Sequence, residues 1–470
     1  MSKAVTIAIP DQALRKFQKS RLYKNALRIV EKLSDAGFTT YFAGGSVRDV
    51  LLGLPCKDID IATAATPNQV QKLFSRVTDL QGKSFGVVRV IVDKHSYEVA
   101  AFRTDGDYKD GRRPEKIIFS SPEEDAFRRD FTINGLFFDP TTHRVIDYVH
   151  GLPDLKAGVI RAIGDPKLRF REDRLRLFRA LRFAAEFRFE VEEETWNALE
   201  DMSSATASPK KEALPPERVR VEITKMFTGS TPVKAMDLLD KSGLLKLWLP
   251  EIDALKGVKQ PPQFHPEGDV YVHTRMMIEM LTDQRPSTAL AFGTLFHDIG
   301  KPKTYKVDET GRIRFNEHEH VGARMTEKVM KRLRFSNEDI QATCALVAGH
   351  MKFKDAPKMK LSTLKRFLAQ PYFSDELKLH RIDCLSSHGD LGVYQFIQEK
   401  QAELSQEEIA PAPLITGSDL LALGLKPGPQ IGQILSIISD GQLEGALQSK
   451  EEALRKAQEL IDRDKQDPSL

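Results

Sequence analysis

Two aspartates one residue apart, Asp58 and Asp60, follow the pair Gly44-Gly45 by about a dozen residues. The stretch Tyr41 to Thr63, YFAGGSVRDVLLGLPCKDIDIAT, reads as a strand end, a Gly-Gly-Ser turn, a short helix from Val47 and a second strand carrying both aspartates. On a strand, side chains at i and i+2 share a face roughly 6–7 Å apart, so the two carboxylates can hold magnesium together. The glycines allow close backbone approach, and Ser46 sits where a helix start favours an anion. A polyanion on those amides with cations against the aspartates describes a nucleoside triphosphate site, and the chemistry suggested is nucleotidyl transfer. Either motif alone is commonly a plain turn or a solvated strand edge; their order and spacing together are far more specific.

Further groups are spaced to complete such a site. Glu98, between Tyr97 and Val99, is a candidate third carboxylate, although an exposed strand glutamate is the commoner case. Arg128, Arg129 and Asp130 precede a helix-like stretch in which Asn134 would share a face with Asp130, and a guanidinium with polar groups suits phosphate and ribose. In the run from Phe170, Asp173 and Arg176 lie three apart on a predicted helix beside Glu172. A carboxylate accepting from an exocyclic amine beside a donating guanidinium can read the pairing edge shared by C and A; the alternative is a surface ion pair. Of eleven histidines, eight lie between His265 and His388. His273, His297-Asp298, His318 and Asp383 form a candidate metal set, while His265, His320, His350, His380 and His388 are weaker candidates.

The elements that must position these groups follow from periodicity and breakers. Residues 20–36 read as an amphipathic helix capped by Ser20 and stopped by Gly37, and Thr66-Pro67 opens another through Phe74. Phe85–Val92 and Tyr97–Arg103 read as strands, giving a small mixed α/β head. Residues 104–122 form a polar loop, 203–216 a linker, 256–268 a Pro-rich boundary, and 407–413 a last linker before a helical tail.

At 470 residues the chain is long enough for about three domains, and 29% charged with 41% hydrophobic residues is a globular composition. No apolar run approaches a membrane span and the N-terminus lacks secretory features, so the expectation is a cytoplasmic protein without a membrane partner. Three separated cysteines suggest neither disulfides nor a thiolate zinc site, and a net charge of +3 says little about nucleic acid.

Taken together, GGSVRD at 44–49, DID at 58–60, RRDFTIN at 128–134, EDRLR at 172–176 and ERVRVE at 217–222 resemble the bacterial class II tRNA nucleotidyltransferase and poly(A) polymerase family over about residues 25–250. HDIGKP and the GLKPGPQIG tail resemble the HD-domain extension of some members. The resemblance implies an α+β fold: a nucleotidyltransferase head (20–150), then an all-helical neck (151–205), body (206–260), HD domain (265–400) and tail (411–470). It implies magnesium on Asp58 and Asp60 with Glu98 as a catalytic partner. The nucleotide-binding set would be Gly44, Gly45, Ser46, Arg48, Arg129, Asp130, Asn134, Glu172, Asp173, Arg176 and Arg179, with Asp173 and Arg176 as a protein template. Partners would be CTP, ATP and tRNA through its 3′ end and acceptor stem.

Family members add CCA, CC, A or poly(A). The loop TDGDYKDGRRP argues against CC-only addition, and GKSFGVV at 82–88 replaces the basic stretch of poly(A) members. The order of preference is therefore CCA addition, A addition, then poly(A) synthesis. For the HD region the resemblance implies a second divalent metal on His273, His297, Asp298, His318 and Asp383 and a phosphohydrolase acting on 2′,3′-cyclic phosphates or 3′-phosphates, unless the domain is purely structural. His320 leaves the ligand near 318 open. The reading from a different class is an HD phosphohydrolase whose head binds nucleotide as a regulator.

Overall fold

The computed structural model describes residues 4–8, 11–78, 86–105, 117–207, 214–263 and 265–466. Most of the polar loop after the second carboxylate strand, and residues 82–85 of GKSFGVV, lie outside them. The chain divides into two compact units, the first built from residues 1–253 with the short segments Leu281–Arg285 and Arg332–Arg334, the second from the rest.

Unit 1 begins with β1 (Val5–Ala8), α1 (Asp11–Lys19), α2 (Arg21–Asp35), β2 (Thr40–Ala43), α3 (Gly45–Leu51), β3 (Asp60–Thr63), α4 (Pro67–Leu73), β4 (Val77–Thr78), β5 (Val87–Val92) and β6 (His95–Ala101). A short pair, β7 (Arg103–Asp105) with β8 (Ile117–Phe119), precedes α5 (Pro122–Phe127), β9 (Leu136–Asp139) and β10 (Arg144–Asp147). Eight strands form one sheet in the order β1-β10-β9-β2-β3-β6-β5-β4, in which only β3 and β6 run parallel. Successive aromatic residues on central strands face opposite sides, as period-two side chains must. Phe42 and Phe138 pack with Phe17 and Tyr23 on one face, while Tyr41 and Phe137 pack with Phe102 on the other.

Helices α6 (Gly151–Ala157), α7 (Pro166–Glu172), α8 (Leu175–Phe187), α9 (Glu193–Ser203) and α10 (Pro216–Phe227) follow. The apolar side of α8, including Leu177, Phe178 and Leu181, is fully buried. Unit 2 is helical apart from one two-stranded hairpin, Tyr305–Val307 with Ile313–Phe315. Its last helices share a core of Leu420, Ile434, Ile438, Ala453 and Ile461. No helix among the described residues is long and apolar enough to cross a membrane.

The expected caps are present: the Ser20 hydroxyl accepts from the Tyr23 N–H at 3.1 Å, and Thr66 with Gln69 forms a capping box. Several boundaries differ from expectation. Helix α3 starts at Gly45, two residues before Val47, because Gly44 turns at φ +68° and its carbonyl already accepts from the Val47 and Arg48 N–H groups. Strand β3 starts at Asp60, leaving Asp58 in the extended lead-in. Helix α4 ends at Leu73, and the two expected strands are β5 at Val87–Val92 and β6 at His95–Ala101, with Arg103 in β7. Asp130 precedes and Asn134 ends a 3₁₀ turn, Thr132–Asn134, so the two do not lie along an α-helix.

The helix expected from Phe170 is broken at Asp173, which is extended at φ −146° and uses its carboxylate to accept from the Leu175 N–H at 3.0 Å. An aspartate that captures a nearby backbone N–H competes with helix continuation, and this residue does so between α7 and α8.

Gly151, at the start of α6, lies so close to the 3₁₀ turn that an added Cβ would stand 2.2 Å from the Thr132 carbonyl oxygen. Gly151→Ala should therefore cost about 1–3 kcal/mol of overpacking. The check is a thermal melt; an unchanged midpoint would contradict the close approach.

Candidate active site

The sheet register brings the carboxylates together. Ile61 pairs with Val99 in the parallel β3–β6 pair, so Asp60, at the start of β3, and Glu98, within β6, each one residue earlier, sit side by side. Ile59 is buried and anchors the lead-in, leaving Asp58 and Asp60 accessible on either side of it. The three acids line one cleft of about 730 Å³. Although its side chain reaches solvent, Asp60 is pushed up to about 6, first by loss of hydration in the cleft and then by the like charges of Asp58 and Glu98. Glu98 is also paired across the strands with Arg89 at 3.1 Å.

The opposite wall is cationic and tightly positioned. Arg129 reaches Asp125 at 2.9 Å and the Asn134 carbonyl at 3.2 Å, and a Cβ on Gly44 would meet its Nη1 at 2.8 Å. That approach, with the positive φ, is why position 44 needs glycine. Arg48 donates to the Asn134 side-chain oxygen and lies over Phe183 and Phe187. Asp130 Oδ1 accepts from the Phe131 N–H at 2.8 Å and Asn134 Nδ2 at 2.9 Å, while Oδ2 accepts from Arg179 at 2.6 Å. Burial alone would raise the Asp130 carboxyl, but Arg179 and Asn134 hold it well below the usual carboxylate range.

Asp173 and Arg176 line the same cleft, and the Arg176 N–H donates to the Asp173 carbonyl at 3.0 Å while their side chains are held by other partners. Arg218 of α10 forks onto Asp173 at 2.8 and 3.1 Å. Arg176 is held by Glu172 at 2.7 Å and by the Arg169 and Arg128 carbonyls, each at 3.0 Å. Glu172 and Ser46 are the expected site residues that do not line the cleft: Glu172 turns onto Arg169 and Arg176, and buried Ser46 donates to the Ala43 carbonyl.

The residues missed by sequence reasoning are the ones that hold others. Glu222 is buried and accepts from Arg182 at 2.6 Å, so ERVRVE supplies both the Asp173 clamp and the Arg182 counter-charge. Lys225 and Arg285 also line the cleft, and no local pattern marks them.

In unit 2 the five expected histidine and aspartate residues meet. His273 Nε2 lies 3.1 Å from Asp383, His297 Nε2 lies 3.0 Å from Asp298 Oδ2, and His318 Nε2 lies 3.4 Å from Asp298 Oδ1. Burial lowers the basicity of His273, but Asp383 and Glu267 outweigh it and raise its pKa to about 9, so this corner attracts positive charge. His318 is buried in the cluster whereas His320 is exposed. His350, read as weak from sequence, joins with its Nε2 3.2 Å from that of His318. The 256–268 boundary folds back to bring Glu267 within 2.9 Å of both His265 and His273.

Family profiles match three segments: "Poly A polymerase head domain" over 40–161, "Probable RNA and SrmB- binding site of polymerase A" over 188–256, and "tRNA nucleotidyltransferase domain 2 putative" over 320–457. A CCA-adding enzyme of Ligilactobacillus salivarius is 33% identical over 448 residues, spanning 94% of this chain and 97% of its own. The chain belongs to the CCA-adding enzyme family. Another member, from Enterococcus faecalis, is 32% identical over 92% of this chain and 94% of its own. Nucleotidyltransferases of this family use divalent metal ions. Among solved structures, the Bacillus stearothermophilus CCA-adding enzyme in complex with CTP aligns over 95% of this chain and 100% of its own, with TM-score 0.67 and 23% identity. The Thermotoga maritima CCA-adding enzyme complexed with tRNA aligns over 98% and 100%, with TM-score 0.58 and 18% identity. At these identities the likeness establishes the shared fold.

Removing Glu222 would leave Arg182 buried without its main counter-charge, because Glu186, its other partner, is half exposed. Glu222→Ala should cost about 3–5 kcal/mol. Chemical unfolding followed by near-UV circular dichroism measures it, and a loss below about 1 kcal/mol, the surface-pair range, would contradict the pairing.

Proposed function

We infer that the chain adds CCA to tRNA 3′ ends from CTP and ATP by metal-dependent nucleotidyl transfer, with no nucleic-acid template. The observation that carries this is one cleft in which Asp58, Asp60 and Glu98 face the same space as Asp173 and Arg176. CCA-adding enzymes similar over nearly their whole length favour CCA over A-only addition or poly(A) synthesis.

An all-oxygen donor set suits magnesium, and the Asp60 carboxyl, raised first by loss of hydration in the cleft and then by the charges of Asp58 and Glu98, sits where a cation would favour its ionised form. Asp58 and Asp60, with Glu98 beside them, would hold magnesium, which would supply charge stabilisation at the attacking 3′-oxygen and the leaving pyrophosphate. Arg48, Arg129 and Arg179 receive the triphosphate beside the close backbone of Gly44 and Gly45. Asp130 accepts from Asn134 and Arg179 and so fixes both side chains beside the nucleotide. Asp173 accepts from the exocyclic amine of C or A and Arg176 donates to a ring acceptor, each held in place by its own partner. A tRNA substrate goes with a cytoplasmic location.

The histidine centre of unit 2 is assigned a divalent metal on His273, His297, Asp298, His318 and Asp383. The buried His297 Nε2 has no hydrogen-bond partner and points at this cluster, as an unfilled ligand would. The reaction class is phosphate-ester hydrolysis, on 2′,3′-cyclic phosphates or 3′-phosphates of RNA ends.

Asp58→Ala with Asp60→Ala should abolish labelled CTP and ATP incorporation while phosphoesterase activity persists; surviving transfer would contradict the metal assignment. Asp173→Ala should lower discrimination of C and A against U and G by about tenfold or more, corresponding to one base-edge contact. Competition between labelled nucleotides measures this, and unchanged selectivity would contradict the template role.

A further inference from the structure

Helix α10 runs beside α8 in the same direction: Arg218 meets Asp173 just ahead of α8, and Glu222, one turn later, meets Arg182. The α8 residues that line the cleft run from Arg176 to Glu186, a rise of about 15 Å. The base-reading pair, Asp173 and Arg176, lies at one end. The glycine turn faces the other half of the helix, because Arg48 lies over Phe183 and Phe187. A nucleoside triphosphate with its base at Asp173 and its phosphates at that turn leaves the cleft open beyond Arg182.

Two cations close that far end. Lys225 stands in the last turn of α10, about 10 Å along the helix from Arg218. Arg285 ends the segment Leu281–Arg285, which docks where both helices stop. There the Asp283 N–H donates to the Ser230 carbonyl at 2.8 Å, and the Asp283 carboxylate accepts from Arg188, the residue capping α8, at 2.7 and 2.9 Å. Asp283 and Arg285 both hold left-handed backbone, at φ +61° and +47°, a conformation that persists in residues with side chains only where the surroundings impose it.

From Arg48 to Arg182, every other arginine lining the cleft has a carboxylate partner. Lys57, Lys225 and Arg285 are the lining cations with none among the described residues. Lys57 adjoins Asp58, whereas Lys225 and Arg285, both exposed, belong to the far end. Glu186, the carboxylate lining that end, is already taken by Arg182 at 2.9 Å. A pinned guanidinium can read a base edge. An exposed cation with no fixed partner suits a strand's phosphates, which carry the same charge whatever the base.

We propose that Lys225 and Arg285 hold the backbone phosphates of the last nucleotides of the RNA being extended, so that its 3′-hydroxyl approaches Asp58 and Asp60 from the end of the cleft opposite the base-reading pair. They set affinity for the strand independently of its sequence and leave CTP and ATP to the matched arginines. The proposal rests on the reading of the chain as a tRNA nucleotidyltransferase.

The test uses the full-length chain, following addition of A to a tRNA ending in CC, with tRNA and ATP varied separately, and tRNA affinity by fluorescence anisotropy over a range of potassium chloride concentrations. Lys225→Gln and Arg285→Gln should each raise the KM for tRNA about fivefold, the upper range for an exposed ion pair, with the KM for ATP unchanged. Each should also make the slope of log affinity on log salt shallower by about 0.7, and the double variant by about 1.4. Lys225→Arg, which keeps the charge, should restore both values. An unchanged KM for tRNA with an unchanged slope would overturn the clamp and leave the transferase standing. A raised KM for ATP with that for tRNA unmoved would also overturn it, by assigning these cations to the triphosphate. No transfer by the unsubstituted chain would overturn the transferase reading and the clamp with it.

Discussion

The inward arginines of α8 are each held by a carboxylate from another part of the chain. Asp130 takes Arg179, Glu222 takes Arg182 and Glu172 takes Arg176, while Arg218 of α10 takes Asp173 at the start of the same helix. Guanidinium groups this far from solvent are tolerable only when each finds hydrogen-bonding counter-charges, and satisfying them dictates where α7, α8, α10 and the 3₁₀ turn can sit. The cleft is what remains between that lattice and the central strands of the sheet. The template role proposed for Asp173 and Arg176 rests on the same fixing, because a protein edge can stand in for a complementary base only if its donors and acceptors are immobile before the nucleotide arrives.

Much of this was legible in the residues. Gly44-Gly45, Asp58 and Asp60 announced themselves by spacing, and the caps at Ser20 and Thr66 by residue type. What stayed hidden was tertiary. Asp173 and Arg176 invite an i,i+3 reading on one helix, yet the Asp173 carboxylate captures the Leu175 N–H and a guanidinium 45 residues away, so the helix breaks. ERVRVE had no chemistry to suggest on its own; its Arg218 and Glu222 matter only through partners on α8 and at its start. His350 resembled any lone histidine until the fold brought its Nε2 against that of His318, 32 residues earlier.

The two units hold donor sets of different character. Unit 1 offers three carboxylates in an open, arginine-walled cleft, a hard oxygen environment suited to a magnesium-bound triphosphate. Unit 2 offers four imidazoles and two carboxylates, most of them buried, whose softer nitrogen donors favour transition ions.

The most direct test of the central claim is incorporation of labelled CTP and ATP, alone and together, into tRNAs ending before CCA, after C and after CC, with magnesium. The account predicts C addition to the first two substrates followed by a single A, and A addition alone to the third. Addition of A only to the CC end, or long A tails on any RNA, would contradict it.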